Sequence, residues 1–230
     1  MLASSRERIL GLLEADDLVL DVGGGASAFP RADWVLDLMP YEQRGLYGPP
    51  PDAKSERFSA DTWIRRDICA REPWPFADRQ FDFAICSHTL EDVRDPVIVC
   101  SELIRVSKAG YIEVPSRLEE QSYGVHGPWI GWSHHRWLID VEGDEIVFVH
   151  KPHLLHARVT DHFPAGFSES LTAAERVQCL WWQDRFGYRE RIFLDAPSLD
   201  SYLSEFVREH RRGGPERRLG ALLRRKRSTV

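Results

Sequence analysis

The sequence predicts an α/β protein built on a mostly parallel sheet with antiparallel strands at its edge. Three observations carry this. The apolar runs LVLDV (18–22), WVLDL (34–38) and FDFAICS (81–87) are compact enough for strands buried on both faces. A helical pattern over 95–110 separates the third run from YIEV at 111–114. Farther on, apolar stretches flank turn-forming residues, as antiparallel strands do. Strands alternating with crossovers collect the strand ends, and any ligand crevice, along one edge.

Taken in order, SRERILGLLE (5–14) places Ile9, Leu10, Leu12 and Leu13 near one face of a short leading helix. The first two strands follow, the first ending in glycines. In DPVIVCSELIRVSKAG, Pro96 near the start and Gly110 after the end are helix start and stop signals. Residues 116–135 show no sustained period. WLIDVEGDEIVFVHK (137–151) reads as two strands about the turn EGDE. QCLWWQDRFGYRERIFL (178–194) reads as a second hairpin with FGY near its turn. SLDSYLSEFVREHRR (198–212) reads as a terminal helix with Ser198 as N-cap. The expected organisation is a ligand-binding half at 1–116, a His/Trp-rich insertion or lid at 117–165, sheet completion with the terminal helix at 166–212, and a basic tail at 213–230.

Composition narrows the function classes. Over 230 residues, 43% hydrophobic and 29% charged residues are those of an ordinary globular chain. No stretch reaches the roughly 18 apolar residues of a membrane helix. The opening segment MLASSRERILGLLEADD lacks a signal-peptide core, and the four cysteines (Cys69, Cys86, Cys100, Cys179) are widely spaced, with no metal-ligand pairing. Reduced thiols in a cytoplasmic protein are the expectation. Residues 205–230 hold nine Lys/Arg against three Glu, so the remaining body of an overall −6 chain carries −12. An acidic body argues against nucleic-acid partners, because phosphate contact needs a basic face. A basic tail of this kind is most often a solvated terminus.

The strongest chemical signal is VLDVGGGAS (19–27): a buried strand ending in Asp21, then Gly23, Gly24 and Gly25. Glycines there let the backbone turn sharply and approach a ligand, and they equally serve a plain tight turn. The second strand ends at Asp37, a carboxylate able to accept both ribose hydroxyls, and Leu38 follows as an apolar face for a base. In RRDI, Asp67 and Ile68 offer an acid and an apolar neighbour for an adenine ring.

Together LDVGGGAS, the acid in VLDL, RRDI, PWPFADRQFDFAICSHTLEDVRDP and ELIRVSKAGYIEVPS resemble class I S-adenosylmethionine-dependent methyltransferases of the type 11 small-molecule branch. The resemblance covers about residues 15–116. It implies a Rossmann-like, seven-stranded sheet and S-adenosylmethionine as cofactor. By matching position it implies cofactor contacts from Asp21, Gly23, Gly25, Asp37, Leu38, Asp67, Ile68, Ser87 and His88. Two features depart from the family: Ser27 replaces its third glycine, and the Asp21–Asp37 spacing is about two helical turns short. The first crossover helix, whose N-terminus helps hold the cofactor's amino-acid end, must shrink to a turn or so.

Seven of nine histidines lie between 126 and 162. HGPWIGWSHHRW (126–137) adds Trp129, Trp132 and Trp137, flat surfaces suited to sugars or other rings. Histidine suits proton transfer near neutral pH. His134 or His135 in an acceptor-binding lid, or His88 at the end of the fourth strand, is therefore the expected base. HKPHLLH (150–156) spaces its histidines by three, but Lys151-Pro152 argues against a helix there, and no metal site is expected. Glu113 reads equally as an ordinary strand-end carboxylate or as a group reaching the crevice. Trp181 and Trp182 read as core or interface packing, which leaves a homodimer open.

The reading that follows is a methyltransferase acting on a hydroxyl of a small molecule, a sugar or a biosynthetic intermediate. Two alternatives use the same residues. One is an enzyme of this fold that binds a nucleotide or nucleotide-sugar and hydrolyses or rearranges it. The other is a non-catalytic scaffold.

Overall fold

The computed structural model describes residues 1–45 and 55–211; the basic tail expected at 213–230 lies outside them. The central sheet holds β1 (Val19–Val22), β2 (Trp34–Asp37), β3 (Trp63–Arg65), β4 (Phe81–Ser87), β5 (Ser107–Pro115) and a later strand, β8 (Val177–Gln183). Their order is β3-β2-β1-β4-β5-β8. The first five run parallel and β8 pairs antiparallel to β5, with Tyr111 opposite Trp181. The order reverses between β1 and β4, the switch point where open parallel sheets place their crevice. This is the expected α/β architecture, with six strands among the described residues where the resemblance implied seven.

Alternation along each strand divides the sheet's two faces. Leu20 and Val22 point into one apolar cluster together with Val99, Cys100 and Leu103 of α2 (Pro96–Val106). Val19 points the other way, with Val35, Ile85 and Tyr111, against Ile9 of α1 (Ala3–Leu12) and Phe29. Burial on both faces explains why these strands read as continuous apolar runs. Only Ile9 among the apolar residues of α1 is buried; Leu10 and Leu12 face solvent, so that helix touches the sheet along a narrow stripe.

α2 begins as its sequence signals, with Pro96 at its first turn and the Asp95 carboxylate accepting the Ile98 N–H at 3.1 Å. Its end differs from expectation. The helix stops at Val106 and β5 starts at Ser107, so Gly110 lies inside the strand, opposite Ala84. Ladder pairing with β4 supplies those backbone groups with partners that a further helical turn would forgo.

β6 (Trp137–Glu142) and β7 (Glu145–His150) form the expected hairpin. The second expected hairpin does not form. β8 joins the central sheet, whereas β9 (Gly187–Glu190) pairs parallel with β7 in a separate three-stranded sheet. Asp184, at φ +61, turns the chain between them, and its N–H donates to the Lys108 carbonyl. The small sheet is core on both sides. Ile139, Ile146 and Phe148 join the α2 cluster, and Leu138 and Val149 pack with Leu203 of α4 (Ala196–His210). α4 begins one turn earlier than expected, with Asp195 rather than Ser198 as N-cap.

Replacing Asp95 by Ala should destabilise the protein by about 0.5–2 kcal/mol in urea unfolding, while Asp95→Asn, an equally good cap, should stay within a few tenths of wild type. Equal losses for both variants would show that the cap does not anchor α2.

Candidate active site

The carboxyl edge of the sheet gathers the residues singled out by sequence. β1 runs into Gly23, at φ +77, where a Cβ would stand 2.2 Å from Thr89 Oγ1. A short 3₁₀ turn, Gly24–Ala26, replaces the first crossover helix. A Cβ on Gly25 would stand 2.7 Å from the Asp37 carboxyl carbon. Both glycines are thus demanded by the chain's own packing, as a tight turn requires, before any ligand is considered.

Asp37 ends β2 half-buried. Its Oδ2 accepts the Gly25 N–H at 2.8 Å and its Oδ1 accepts the Met39 N–H at 2.6 Å. A carboxylate offers about four lone-pair positions, so two remain for hydroxyl donors. Leu38 beside it is 66% exposed, an apolar face open to a ring. Asp67 follows β3, and the Arg94 guanidinium hydrogen-bonded to it holds its carboxyl below the usual range. The adenosine half of the implied cofactor therefore fits here. The residues that would hold its amino-acid end present a different surface. Asp21 is only 4% exposed, and burial pushes its carboxyl up to about 7 even though Oδ2 accepts the Phe29 N–H at 2.7 Å. Ile68 lies in the core, where its carbonyl accepts the Trp74 indole N–H. Asp21 and Ile68 are thus both buried by the chain itself, whereas Asp37 and Leu38 stand partly open at the same edge.

At the end of β4 the Ser87 hydroxyl is buried with no hydrogen-bond partner. His88 sits at φ +53 with Nε2 3.1 Å from Glu113 and Nδ1 3.3 Å from Glu91. Partial burial lowers its pKa, but the two carboxylates more than offset this and raise it to about 9. His88 is therefore an imidazolium at neutral pH and has no lone pair with which to act as the expected base. Glu113, fully buried, is held down to about 2: burial works against ionisation, and His88, the Leu2 N–H and the Tyr111 hydroxyl outweigh it. The strand-end carboxylate thus lies beneath His88 and fixes its ring at the end of β4.

His134 and His135 meet the same edge. The Arg136 N–H donates to the Glu91 carbonyl at 2.7 Å and the Trp137 indole N–H to the Val93 carbonyl at 2.8 Å, docking the HHRW segment on the loop after β4. His135 Nδ1 lies 2.6 Å from Glu120 Oε1, and Lys151 Nζ lies 2.8 Å from Glu120 Oε2. A carboxylate only accepts, so Nδ1 donates its N–H to Glu120, and Nε2 is the ring nitrogen turned toward Asp92. That nitrogen stands 3.8 Å from Asp92 Oδ1, and His134 Nε2 stands 3.9 Å from the same oxygen. Sequence reasoning missed Asp92, Glu120 and Arg94. The first stands in SHTLEDV, a segment already singled out, but nothing in the pattern ties it to histidines some forty residues on.

Residues 52–112 match a family model described as a methyltransferase domain. The resemblance read from the sequence holds over this segment. The match runs from before β3 into β5 and leaves out the glycine loop and Asp37. No curated protein matches the chain. Among solved structures, an S-adenosylmethionine-dependent methyltransferase from Thermotoga maritima, described as a possible histamine N-methyltransferase, is 21% identical with a TM-score of 0.35, over 53% of this chain and 54% of that one. A Mesorhizobium loti S-adenosylmethionine-dependent methyltransferase is 16% identical with a TM-score of 0.37, over 65% and 64%. A putative methyltransferase from Haloferax volcanii, solved with the activator Trm112, is 21% identical with a TM-score of 0.35, over 48% and 50%. The chain thus spans about half the length of the first of these structures.

The raised His88 pKa sets a pH dependence. A folded value of about 9 against an ordinary 6.5 means that the contribution of His88 is complete below pH 6.5 and is lost as pH rises through 9. The melting temperature should fall across that window, and the fall should shrink in His88→Asn, since Asn tolerates the left-handed backbone but does not titrate. Parallel melting curves for the two proteins would refute the imidazolium assignment.

Proposed function

We propose that this chain is an S-adenosylmethionine-dependent methyltransferase that acts on a hydroxyl of a small molecule, a sugar or a biosynthetic intermediate, in the cytoplasm. One observation carries the reading. The half-buried Asp37 carboxylate, with exposed Leu38 beside it, shares a sheet edge with a histidine whose Nδ1 is held by the buried Glu120 carboxylate. The match to a methyltransferase domain supports the cofactor.

When bound, S-adenosylmethionine supplies an electrophilic methyl group on a sulfonium. Asp37 holds ribose hydroxyls, and Leu38 covers the base. Asp67, paired with Arg94, flanks the same end. His135 takes charge of the acceptor hydroxyl through Nε2, while Glu120 keeps the ring in the right tautomer and Lys151 balances Glu120. The loop from His126 to Trp137 brings Trp132, stacked on both His126 and His135, to the acceptor side. Aligning acceptor and sulfonium is the larger part of such catalysis, since the reaction is a displacement at carbon.

A sealed Asp21 and a missing first crossover helix favour the second reading, a fold turned to nucleotide or nucleotide-sugar chemistry. Calorimetry separates the two. S-Adenosylhomocysteine should bind, and Asp37→Ala should weaken it by about 1.5–3 kcal/mol, the range for hydrogen bonds to charged groups. Binding of nucleoside diphosphates without either sulfur ligand would replace the methyltransferase reading. His135→Ala should leave cofactor affinity unchanged and slow turnover about 100-fold or more. Unchanged turnover would remove His135 from the reaction.

A further inference from the structure

Asp92, His134 and His135 do more than line the crevice. Their ligand atoms all lie within 4.8 Å of one another, and among the described residues they are the single such group of three. Two imidazole nitrogens face one carboxylate oxygen, at 3.8 and 3.9 Å. Around a tetrahedral ion with bonds of about 2.0–2.1 Å, neighbouring ligand atoms stand about 3.3 Å apart. The two gaps to Asp92 close with shifts of a few tenths of an ångström per side chain, the two histidine nitrogens lie within 4.8 Å of each other, and Asp92 and His134 are exposed enough to move.

The surroundings point the same way. A metal-binding histidine usually donates its other ring N–H to a carboxylate, which fixes the tautomer and makes the free nitrogen more basic. Glu120 does this for His135 at 2.6 Å from a 1% exposed position, and Lys151 balances its charge. The three candidate ligands supply one negative charge between them. Two nitrogen donors with one carboxylate suit a divalent transition metal and disfavour magnesium and calcium, which take oxygen. Among the described residues the group supplies three protein ligands, so a bound ion would keep an open position.

We propose that Asp92, His134 and His135 bind one divalent transition-metal ion whose open position receives the acceptor's hydroxyl oxygen. The site deepens the function proposed above and rests on it for the place of the acceptor. A hydroxyl on the ion loses its proton to water more readily, and the resulting oxygen is the nucleophile. The Nε2 lone pair of His135 is then spent on the ion rather than on the proton. His150, His153 and His156 take no part: β7 ends at His150, and the 3₁₀ turn His153–His156 brings no third ligand to them.

The test uses the full chain without a histidine tag, stripped with a chelator and titrated with Zn²⁺ against a chromophoric indicator, with neither cofactor nor acceptor present. One equivalent should bind at micromolar Kd or tighter. Asp92→Asn and His134→Ala, both at exposed positions, should weaken binding at least tenfold, and Glu120→Gln by about 10–100-fold. The control His153→Ala should leave binding unchanged. Co²⁺ should give visible absorption of low coordination number that Asp92→Asn abolishes. No binding at micromolar Zn²⁺, or binding that survives both Asp92→Asn and His134→Ala, overturns the site. Because S-adenosylhomocysteine affinity is measured separately, a chain that binds it but not Zn²⁺ loses only the metal site. A chain that binds Zn²⁺ but not S-adenosylhomocysteine loses only the methyltransferase reading.

Discussion

Eleven residues join β1 to β2, and that short connection shapes the rest of the sheet edge. A parallel crossover usually needs a dozen or more residues and a helix. Here there is room for one 3₁₀ turn, so the chain folds straight back over the strand ends. Phe29 then donates its N–H to Asp21 and closes over it, and Gly25 comes down onto Asp37. One carboxylate is sealed and driven toward its neutral form. The other stays half-open with lone pairs to spare. Both outcomes follow from the same shortage of chain.

Charge at the other side of the crevice is organised by burial. Glu113 and Glu91 lie at or below 1% exposure, and His88 bridges them as an imidazolium. Removing the histidine would leave buried Glu91 without its ion pair and Glu113 with only the N-terminal ammonium, at 3.3 Å, to balance it, a costly change. This accounts for a histidine in the left-handed region of backbone space at the end of β4, where strain is tolerated because the surroundings hold it. A second buried carboxylate, Glu120, is compensated in another way, by Lys151 and His135 together. The two systems meet through the short segment 91–93, which carries Glu91, Asp92 and the carbonyl that receives Trp137.

The small sheet explains how a histidine-rich loop is placed with any accuracy. β6 and β7 are buried on both faces, against the α2 cluster on one side and α4 on the other. The segment before them is therefore tethered at its C-terminal end to a rigid element. Trp137, the last residue of HHRW, is also the first of β6, so the backbone just before it, which carries His134 and His135, is tethered at that end.

Local pattern was enough for the fold class, the β1, β2, β4 and β5 strands, the β6–β7 hairpin and the α2 start. Those features depend on apolar period and on turn or cap residues within a few positions of one another. The glycine turn, and Asp37 with Leu38 at the end of β2, were legible for the same reason. What lay between distant segments was not. Whether β8 and β9 formed a hairpin depended on which strand edges were free, and β5 and β7 each offered one. The protonation of His88 depended on Glu113, brought in from β5, acting together with Glu91 three residues along the chain. The partnership of Asp92 with His134 and His135 spans some forty residues of sequence and is made only when the HHRW loop docks on the end of β4. Sequence alone determined the parallel core strands and the carboxylate that ends β2, because both are written in neighbouring residues; tertiary structure decided which titratable groups are sealed or exposed, because burial and pairing exist only once the chain has closed on itself.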